Sequence, residues 1–248
     1  MAEVAVSVVS HGQAEMTNRL VSDIARFAPE VEVLVTRNIP EPVQIYRSAL
    51  KNFSCLDNSE GKGFGSNHNA AFRRSSAPFF CIINPDVRLL DNPFPKLLEC
   101  FGDPRVGLVT AKVVNSLGNV EDSVRYFPTP IRLAAKCLGL GEGRYPTLSE
   151  VPIAVDWSAG MFMLFRAEAF CEIDGFDENF FLYYEDVDIC ARLWNACWKV
   201  MHHPGVSVVH DAQRASRSNI RYLKWHLASM ARYFYKHFGR IPHIDNCK

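Results

Sequence analysis

Apolar positions in the first part of the chain form short, nearly continuous runs separated by a helical pattern. The runs are residues 4–9 and 31–35, and between them residues 17–27 place apolar side chains three or four positions apart. Each run ends in polar residues, as buried parallel strands do. The order of strand, helix and strand predicts a βαβ unit, whose crossover is right-handed in nearly all proteins.

The same patterns continue to about residue 210 and predict an α/β fold. Further strands are predicted at residues 79–83, 106–109, 111–114, 161–165, 199–203 and 206–209. Further helices are predicted at residues 93–100, from about residue 166, and from 185 to about 196. Residues 115–151 follow neither pattern and contain several glycines and prolines.

The last part of the chain, residues 219–238, has apolar side chains three or four apart and is predicted to form an amphipathic helix. A second stripe lies among basic residues and is aromatic: Tyr222, Trp225 and Tyr233. We therefore predict a domain at residues 1–217 and a basic, aromatic helical extension at residues 218–248. The extension packs on the domain in one interpretation, and in the other it also contacts an anionic membrane at the headgroup level.

The composition excludes several classes of protein. The 248 residues include 27 Lys+Arg and 27 Asp+Glu, so the net charge is zero and we expect no nucleic-acid partner. Eight cysteines without a CxxC pair argue against a zinc knuckle or a disulfide framework. No basic stretch precedes the first strand, and no apolar run is long enough to span a bilayer. We therefore expect a cytoplasmic protein, with peripheral contact to the cytoplasmic membrane face through the extension.

Polar residues follow the first two predicted strands at their carboxyl ends. Ser10 follows the first strand, and Asn38 and Glu41 follow the second. Ligands of open α/β sheets bind beyond the carboxyl ends of the strands. Ser10, Asn38 and Glu41 are therefore candidate ligand-binding residues.

Residues 58–69, NSEGKGFGSNHN, form a glycine-rich segment that leads into a helix. Glycines such as Gly63 let the backbone approach a ligand closely, and Asn67 and Asn69 add polar side chains. The segment is not a P-loop, because no Gly-Lys-Ser/Thr follows at the required spacing, and it does not follow the first strand as a dinucleotide fingerprint does. A ligand-binding loop and an ordinary glycine-rich loop both remain open.

Two further strand ends carry candidate metal ligands. Asn84-Pro85-Asp86 follows the strand at residues 79–83, where an acidic residue is well placed to hold a divalent cation. An ordinary Asn-Pro-Asp turn is the alternative. His210 ends the last predicted strand, where it is either a metal ligand or a satisfied polar residue.

Residues 174–192, DGFDENFFLYYEDVDICAR, combine a turn, an aromatic cluster and three carboxylates. Glu185, Asp186 and Asp188 stand at the start of a predicted helix, directly after five aromatic side chains. Capping the helix needs only one acidic residue. Aromatic walls lower the local dielectric constant and raise a carboxylate pKa toward the range of a general base. We therefore favour a catalytic cluster over a set of helix caps.

Taken together, the βαβ unit, Asn84-Pro85-Asp86, the pattern GFDExFFxYxEDxD and the later strand-ending histidine resemble the family 2 glycosyltransferases of the GT-A fold. The resemblance is specifically to their bacterial rhamnosyltransferase-like branch. It covers the chain up to about residue 217, and residues 175–188 are its most specific part. It implies a Rossmann-like, mixed but mostly parallel sheet flanked by helices, with the amphipathic helix at its C-terminal end.

The resemblance also implies roles for the candidate residues. Asp86 would bind Mg²⁺ or Mn²⁺ bridging the diphosphate of a sugar nucleotide, and His210 would complete that site. Asp186 would be the catalytic base for an acceptor hydroxyl, with inversion at the anomeric carbon. The remaining implied residues are Glu185, Trp157, Ser158 and Gly160, which would shape the sugar and acceptor pocket, and Arg214 and Arg217, which would help to neutralise the diphosphate.

The donor implied is dTDP-rhamnose, and the acceptor is a saccharide or a polyprenyl-diphosphate-linked saccharide of a cell-surface polysaccharide such as an O-antigen. The sequence departs from the family at one point. Many relatives carry Asp-Asn after the second strand, where the Asp recognises the nucleobase, but this chain has Arg37-Asn38. Base recognition would fall to Asn38 or Glu41, so a UDP- or GDP-sugar donor stays open, as does a non-catalytic sugar-nucleotide-binding protein.

Overall fold

The structure, a computed structural model, describes residues 2–47, 49–138, 145, 150–210, 220–242 and 244. Its main sheet is built from β1 Val4–Ser10, β2 Glu32–Arg37, β3 Phe53–Asp57, β4 Phe79–Ile83, β5 Val87–Arg88, β6 Val106–Val114, β8 Ile153–Ala154, β10 Phe162–Arg166 and β11 Lys199–His210. A small second sheet pairs β7, Val124–Arg125, with β9, Trp157–Ser158. The helices are α1 Ala14–Phe27, α2 Phe64–Phe72, α3 Phe94–Glu99, α4 Pro130–Cys137, α5 Ala167–Glu172, α6 Glu185–Asn195 and α7 Ile220–Lys236.

The strands of the main sheet lie in the order β3-β2-β1-β4-β10-β6-β11-β5, and β8 pairs with β11. Strands β1 to β4 run parallel, β6 and β11 are parallel to each other, and β10 is antiparallel to both of its neighbours. The carboxyl ends of the parallel strands and the amino end of β10 therefore meet at one edge of the sheet. This edge carries Ser10, Asp86 and His210. The expected α/β fold with a mixed, mostly parallel sheet is confirmed.

Apolar side chains cover both faces of the main sheet. One face packs on α1 and α3, where Ile24 and Leu97 are fully buried. The other face packs on α2, α5 and α6, where Phe170 and Trp194 are buried. Burying one large apolar side chain contributes about 1.5–3 kcal/mol. The two faces therefore hold the strand ends at the functional edge in fixed positions.

Several strands differ from the sequence prediction, which does not include the two-residue strands β5, β7, β8 and β9. Both β6 and β11 are single strands where two short strands were expected in each case. In β11 the pairing register with β6 shifts between His203 and Ser207, so Pro204-Gly205 lies in a bulge and does not end the strand. The apolar pattern does not predict β3, because this strand lies at the end of the sheet and is only partly buried.

Helix α7 packs along α6 with one face and exposes the other. Tyr233 of α7 is fully buried, and Asp188 of α6 contacts both Lys236 and His237 at 2.8 Å. The exposed apolar side chains at and beyond α7 are Ile220, Leu223, Leu227, Tyr235 and Phe238. The helix therefore packs on the domain, whereas the expected boundary at residue 217 falls outside the described residues and stays a prediction. None of the described helices is both long and apolar enough to cross a membrane.

Candidate active site

Asp186, the second residue of α6, is held by two main-chain amides. Its Oδ1 accepts a hydrogen bond from the amide of Val187 at 2.8 Å, and its Oδ2 accepts one from the amide of Gly160 at 3.3 Å. Burial raises the pKa of Asp186 to about 6, although these hydrogen bonds and the charge of Arg125 oppose the rise. A carboxylate with a pKa this close to neutrality is suited to remove a proton as a general base.

The two neighbouring carboxylates have different environments. Glu185 is buried, its Oε2 has no hydrogen-bond partner among the described residues, and burial together with the charge of Asp186 raises its pKa well above the ordinary value. Burial also favours the neutral form of Asp188, but a hydrogen bond with His237 and the charge of Arg192 lower its pKa overall. Asp188 therefore serves the packing of α6, whereas the Glu185 and Asp186 carboxyls remain available for chemistry.

Asp86 and His210 come together at the carboxyl ends of β4 and β11. Strand β5 pairs with the end of β11, opposing Val87 to His210, and this pairing brings the preceding Asp86 beside the imidazole. Oδ2 of Asp86 lies 3.2 Å from Nε2 of His210. The amide of Val87 donates to the carbonyl of Asn84 at 3.1 Å, so Asn84-Pro85-Asp86 is a turn as well as a site of candidate ligands.

Asp86 and His210 fit a divalent cation that is shared with a substrate. Oδ1 of Asp86 and Nδ1 of His210 are buried and lack hydrogen-bond partners in the part of the chain that the structure describes. A carboxylate oxygen and an imidazole nitrogen are both ligands that a divalent cation accepts, and the two side chains lie side by side. The described residues contain no group of three or more His, Cys, Asp or Glu that could hold a metal. Such a cation would therefore need further ligands from substrate phosphates and water.

A continuous chain of contacts joins the Asp86 turn to Asp186. Beyond the last β4–β10 pair, the amide of Asn84 donates to the carbonyl of Met161 at 3.0 Å. The preceding residue, Gly160, donates its amide to Asp186. Both acidic residues therefore belong to the same edge of the sheet, on either side of the turn that enters β10. That they face one another across a single cleft stays a prediction.

The glycine-rich segment packs directly against the acidic segment. A Cβ atom added to Gly65 would lie 2.5 Å from Cβ of Phe176, and one added to Gly63 would lie 2.9 Å from the carbonyl oxygen of Phe181. The amide of Phe64 donates to that same carbonyl at 3.0 Å. The two most distinctive segments of the sequence are therefore one packed unit, and these glycines are required by protein contacts whether or not a ligand is bound.

Amide side chains hold the glycine-rich segment in place. Asn38 donates from Nδ2 to His11 Nδ1 and to the carbonyl of Lys62, and its Oδ1 accepts from the Lys62 amide and from Asn58, all within 3.0 Å. Asn67 donates to the carbonyls of Lys62 and Gly63. Because the Asn38 amide is fully used within the protein, it fixes the loop geometry, and its contact with a donor stays a prediction.

The other predicted residues near the first two strands also form hydrogen bonds or ion pairs within the protein. Ser10 Oγ accepts a hydrogen bond from Gln13 at 3.3 Å, and Glu41 Oε2 accepts one from the amide of Ala14 at 2.7 Å, so both support the start of α1. Oε1 of Glu41 is buried without a hydrogen-bond partner among the described residues. Arg37 forms an ion pair with Asp57 at the ends of β2 and β3.

The residues expected to line the sugar and acceptor pocket lie around β9. Trp157 donates from Nε1 to the carbonyl of Tyr126 at 3.0 Å, and Ser158 is fully buried. Gly160 is the residue of this group that contacts Asp186. Arg214 and Arg217 lie outside the described residues, so their expected roles stay predictions.

Sequence reasoning missed Arg125 and the residues of α7 that pack on the acidic segment. Arg125 lies in β7 within the irregular segment, and its charge lowers the pKa of Asp186. Its spacing from the acidic cluster gives no periodic signal, since the contact depends on the β7–β9 pairing. In α7, Trp225 lies with its ring centroid 4.8 Å from that of Phe181. The aromatic stripe of the extension was a visible signal for this contact.

Comparisons with known proteins agree with this arrangement. The sequence model of glycosyl transferase family 2 matches residues 6–167. The rhamnosyltransferase WbbL of Escherichia coli (strain K12) is 27% identical over 242 residues, covering 92% of this chain and 91% of that protein. The N-acetylglucosaminyl-diphospho-decaprenol L-rhamnosyltransferase of Mycobacterium tuberculosis (strain ATCC 25618 / H37Rv) is 33% identical over 141 residues, covering 52% of this chain and 45% of that protein.

Solved structures share the fold at low sequence identity. GalNAc-T7 with UDP, GalNAc and Mn²⁺ superposes with a TM-score of 0.63 at 14% identity, covering 84% of this chain and 42% of that one. The mannosyltransferase PcManGT from Pyrobaculum calidifontis, in complex with GDP-Man and Mn²⁺, superposes with a TM-score of 0.63 at 17% identity, covering 93% and 64%. The fold is therefore the expected GT-A fold. The chain belongs to glycosyl transferase family 2 and is a glycosyltransferase similar to bacterial rhamnosyltransferases.

Proposed function

We propose that the protein transfers L-rhamnose from dTDP-rhamnose, with inversion at the anomeric carbon, onto a saccharide or polyprenyl-diphosphate-linked acceptor in cell-surface polysaccharide synthesis. Its similarity to two proteins named as rhamnosyltransferases supports the sugar, and the name of one of them supports a lipid-linked acceptor. The observation that carries the proposal is Asp186, a partly buried carboxylate with a pKa of about 6 at the sheet edge that also holds Asp86 and His210.

Asp186 acts as the base in a single displacement. It takes the proton of the acceptor hydroxyl while the hydroxyl oxygen forms a bond to the anomeric carbon. The bond between that carbon and the diphosphate breaks on the opposite face, and its electron pair leaves with the nucleoside diphosphate. Because no enzyme group forms a covalent intermediate, the anomeric carbon is inverted. Burial and the charge of Asp186 raise the pKa of Glu185, which favours its protonated form, and in that form it offers a hydrogen-bond donor beside Asp186.

Asp86 and His210 are the residues that would hold Mg²⁺ or Mn²⁺. A divalent cation neutralises the negative charge that develops on a leaving diphosphate. Asp86 presents a buried carboxylate oxygen without a protein partner among the described residues, which is the ligand type that both ions prefer. Arg214 and Arg217, which lie outside the described residues, would help to neutralise the diphosphate.

Helix α7 would place this site at the cytoplasmic face of a membrane. Its exposed face carries Leu223 and Leu227 together with the exposed base Lys224. Residues 212–244 contain no acidic side chain. Apolar side chains flanked by basic residues suit the headgroup region of anionic lipids, where a polyprenyl-linked acceptor resides.

The test is a panel of dTDP-, UDP- and GDP-sugars with a polyprenyl-diphosphate-linked saccharide, with and without Mn²⁺, and NMR analysis of the anomeric configuration of the product. We expect transfer from dTDP-rhamnose with inversion. Asp186→Asn should abolish transfer while nucleotide binding persists, and Glu168→Gln, an exposed carboxylate of α5, should retain activity. Transfer from another donor alone would contradict the sugar assignment, and binding without turnover in the unmodified protein would indicate a non-catalytic binding protein.

A further inference from the structure

The two residues immediately before the candidate base have an unusual backbone conformation. Tyr183 has φ 69° and Tyr184 has φ 63°, so two consecutive tyrosines occupy the left-handed region. A residue other than glycine is strained in this region and persists there only where its surroundings enforce it. The strained pair leads directly into Glu185 and Asp186, and the amide of Asp188 donates to the carbonyl of Tyr184 at 2.8 Å. The direction of the Asp186 side chain is therefore set by this turn.

The contacts that enforce the turn come from one face of α7. Ser229 Oγ donates a hydrogen bond to the carbonyl of Leu182 at 2.9 Å. The ring of His226 lies 5.3 Å from that of Tyr183 and 5.4 Å from that of Tyr184, both edge to face. Tyr233 lies 5.4 Å from Tyr184. Aromatic pairs of this geometry are attractive, and together with the part-buried hydrogen bond of Ser229 they offset the backbone strain.

Ionic contacts fix α7 against α6 one turn further along. Asp188 is fully buried and contacts His237 Nε2 and Lys236 Nζ at 2.8 Å each. Lys236 also pairs with Asp177 at 2.6 Å, in the turn that begins the acidic segment. Helix α7 is therefore joined to the acidic segment on both sides of Asp186.

We propose that α7 is a positioning element of the active site, in which Ser229 and His226 hold the Tyr183-Tyr184 turn and so aim Asp186 at the acceptor. This role is separate from the membrane contact proposed above, which uses Leu223 and Leu227 of the same helix. It rests on the proposed role of Asp186 as the base. If α7 were merely structural, substitutions in it would change only the stability of the protein. If α7 positions Asp186, they change turnover and the hydrogen exchange of the turn amides without changing donor affinity.

The test compares Ser229→Ala and His226→Ala with His226→Phe, which keeps an aromatic ring, and with Tyr235→Ala on the exposed face of α7, where the side chain is 89% exposed. For Ser229→Ala and His226→Ala we expect kcat to fall about tenfold or more, because a small misplacement of a catalytic group costs up to about a hundredfold. The KM for the donor should change by less than about twofold, or ~0.4 kcal/mol, because the variants displace the base and leave the donor site unchanged. His226→Phe should recover most of the lost kcat, and Tyr235→Ala should match the unmodified protein.

Hydrogen–deuterium exchange of the peptide spanning residues 182–188 provides a readout that does not need activity. Exchange should be faster in Ser229→Ala and His226→Ala and unchanged in Tyr235→Ala. Unchanged kcat and exchange in both Ser229→Ala and His226→Ala would overturn the proposal, as would a kcat loss in His226→Ala that His226→Phe fails to recover. If exchange rises as expected but the unmodified protein transfers no sugar, the proposed function is wrong and the turn is still held by α7.

Discussion

Asn69 and Phe176 exchange two hydrogen bonds across 107 residues of sequence. Oδ1 of Asn69 accepts from the amide of Phe176, and Nδ2 of Asn69 donates to the carbonyl of Phe176, each at 2.9 Å. The side chain thus pairs with the backbone as a neighbouring strand would. This contact joins α2 at the end of the glycine-rich segment to the turn that leads toward Asp186.

Asn69→Ala should destabilise the fold as well as the site. It leaves the buried amide and carbonyl of Phe176 without partners, and each such loss costs about 1–3 kcal/mol. We expect urea unfolding to show a loss of about 2–4 kcal/mol in the free energy of unfolding. Ser66→Ala, which removes one exposed hydrogen bond to Glu178, is the matched control and should change it by less than about 1 kcal/mol. Equal effects of the two variants would contradict the role of Asn69.

Gly65→Ala should disrupt the contact between the glycine-rich and acidic segments. The added Cβ would lie 2.5 Å from Cβ of Phe176. Because a Cβ atom is bonded directly to the backbone, no side-chain rotation can move it away. We expect a loss of about 1–3 kcal/mol in unfolding free energy, as overpacking of a core causes, and a large loss of transfer activity. Gly102→Ala is the control, because a Cβ there meets nothing within 4 Å. A Gly65 variant with normal stability would show that Phe176 moves freely.

Transfer activity should rise with pH through the pKa of Asp186 and level off above it. A base with a pKa of about 6 is half protonated at that pH, so the acid limb of kcat/KM, which reports the free enzyme, should have its midpoint near 6. A pH profile of kcat/KM measures this. A flat profile from pH 5 to 8 would argue against Asp186 as the base.

The free energy of unfolding should depend on the same pKa, but it should fall, not rise, as the pH increases. The folded-state pKa of Asp186 lies above its unfolded value, so the folded protein binds more protons between about pH 4 and 6 and loses stability as the pH rises through that range. The difference between the folded and unfolded pKa values of Asp186 corresponds to on the order of 1–3 kcal/mol. From pH 4 to pH 7, the free energy of unfolding of the unmodified protein should fall by that amount more than the free energy of unfolding of Asp186→Asn. Parallel pH dependences would contradict the raised pKa.

Asp86→Asn and His210→Ala should weaken the binding of Mn²⁺ in the presence of a nucleoside diphosphate. Each removes one of two protein ligands, and we expect at least about a tenfold rise in the Mn²⁺ dissociation constant, or ~1.4 kcal/mol. Calorimetric titration of Mn²⁺ into the protein with dTDP measures it. Asp91→Asn, an exposed carboxylate nearby in the chain, should bind Mn²⁺ normally. Unchanged Mn²⁺ affinity in both variants would remove Asp86 and His210 from the cation site.

Leu223→Ser combined with Leu227→Ser should reduce sedimentation of the protein with anionic vesicles. The two side chains are 54% and 49% exposed, and burying each in a membrane interface contributes up to about 1.5 kcal/mol. We expect about a tenfold weaker partition coefficient, and weaker binding of the unmodified protein at high salt. Leu117→Ser, at an 83% exposed position far from α7 in sequence, is the control. Equal sedimentation of all three proteins would exclude α7 as the membrane contact.

Most of the sheet was predictable because its strands are buried on both faces. The run at residues 79–83 coincides with β4, and the run at residues 4–9 differs from β1 by one residue. Where the prediction failed, the physical signal was absent or misleading. Pro204-Gly205 ordinarily ends a strand, but the bulge in β11 accommodates both residues without leaving the sheet.

The site was predictable as a set of residue types and less so as a geometry. A carboxylate cluster after an aromatic run indicated Asp186, and strand ends indicated Asp86 and His210. Two left-handed tyrosines were not predictable, because tyrosine disfavours that conformation and only contacts from a distant helix enforce it. The amide side chain of Asn38 was expected to meet a ligand, but a single sequence does not reveal which polar groups the protein itself engages.

Strand β10 runs back along β6, so the long connection between them starts and ends at neighbouring positions of the sheet. This connection, residues 115–161, is closed at its base by the pairing of Leu164 with Val109 and of Phe165 with Leu108. It also supplies β8, which pairs with β11, and Gly160, whose amide donates to Asp186. Closing a longer loop between fixed ends adds little entropy cost. Insertions between β7 and β8 are therefore compatible with the sheet, whereas replacing the whole connection would remove one strand and one support of Asp186.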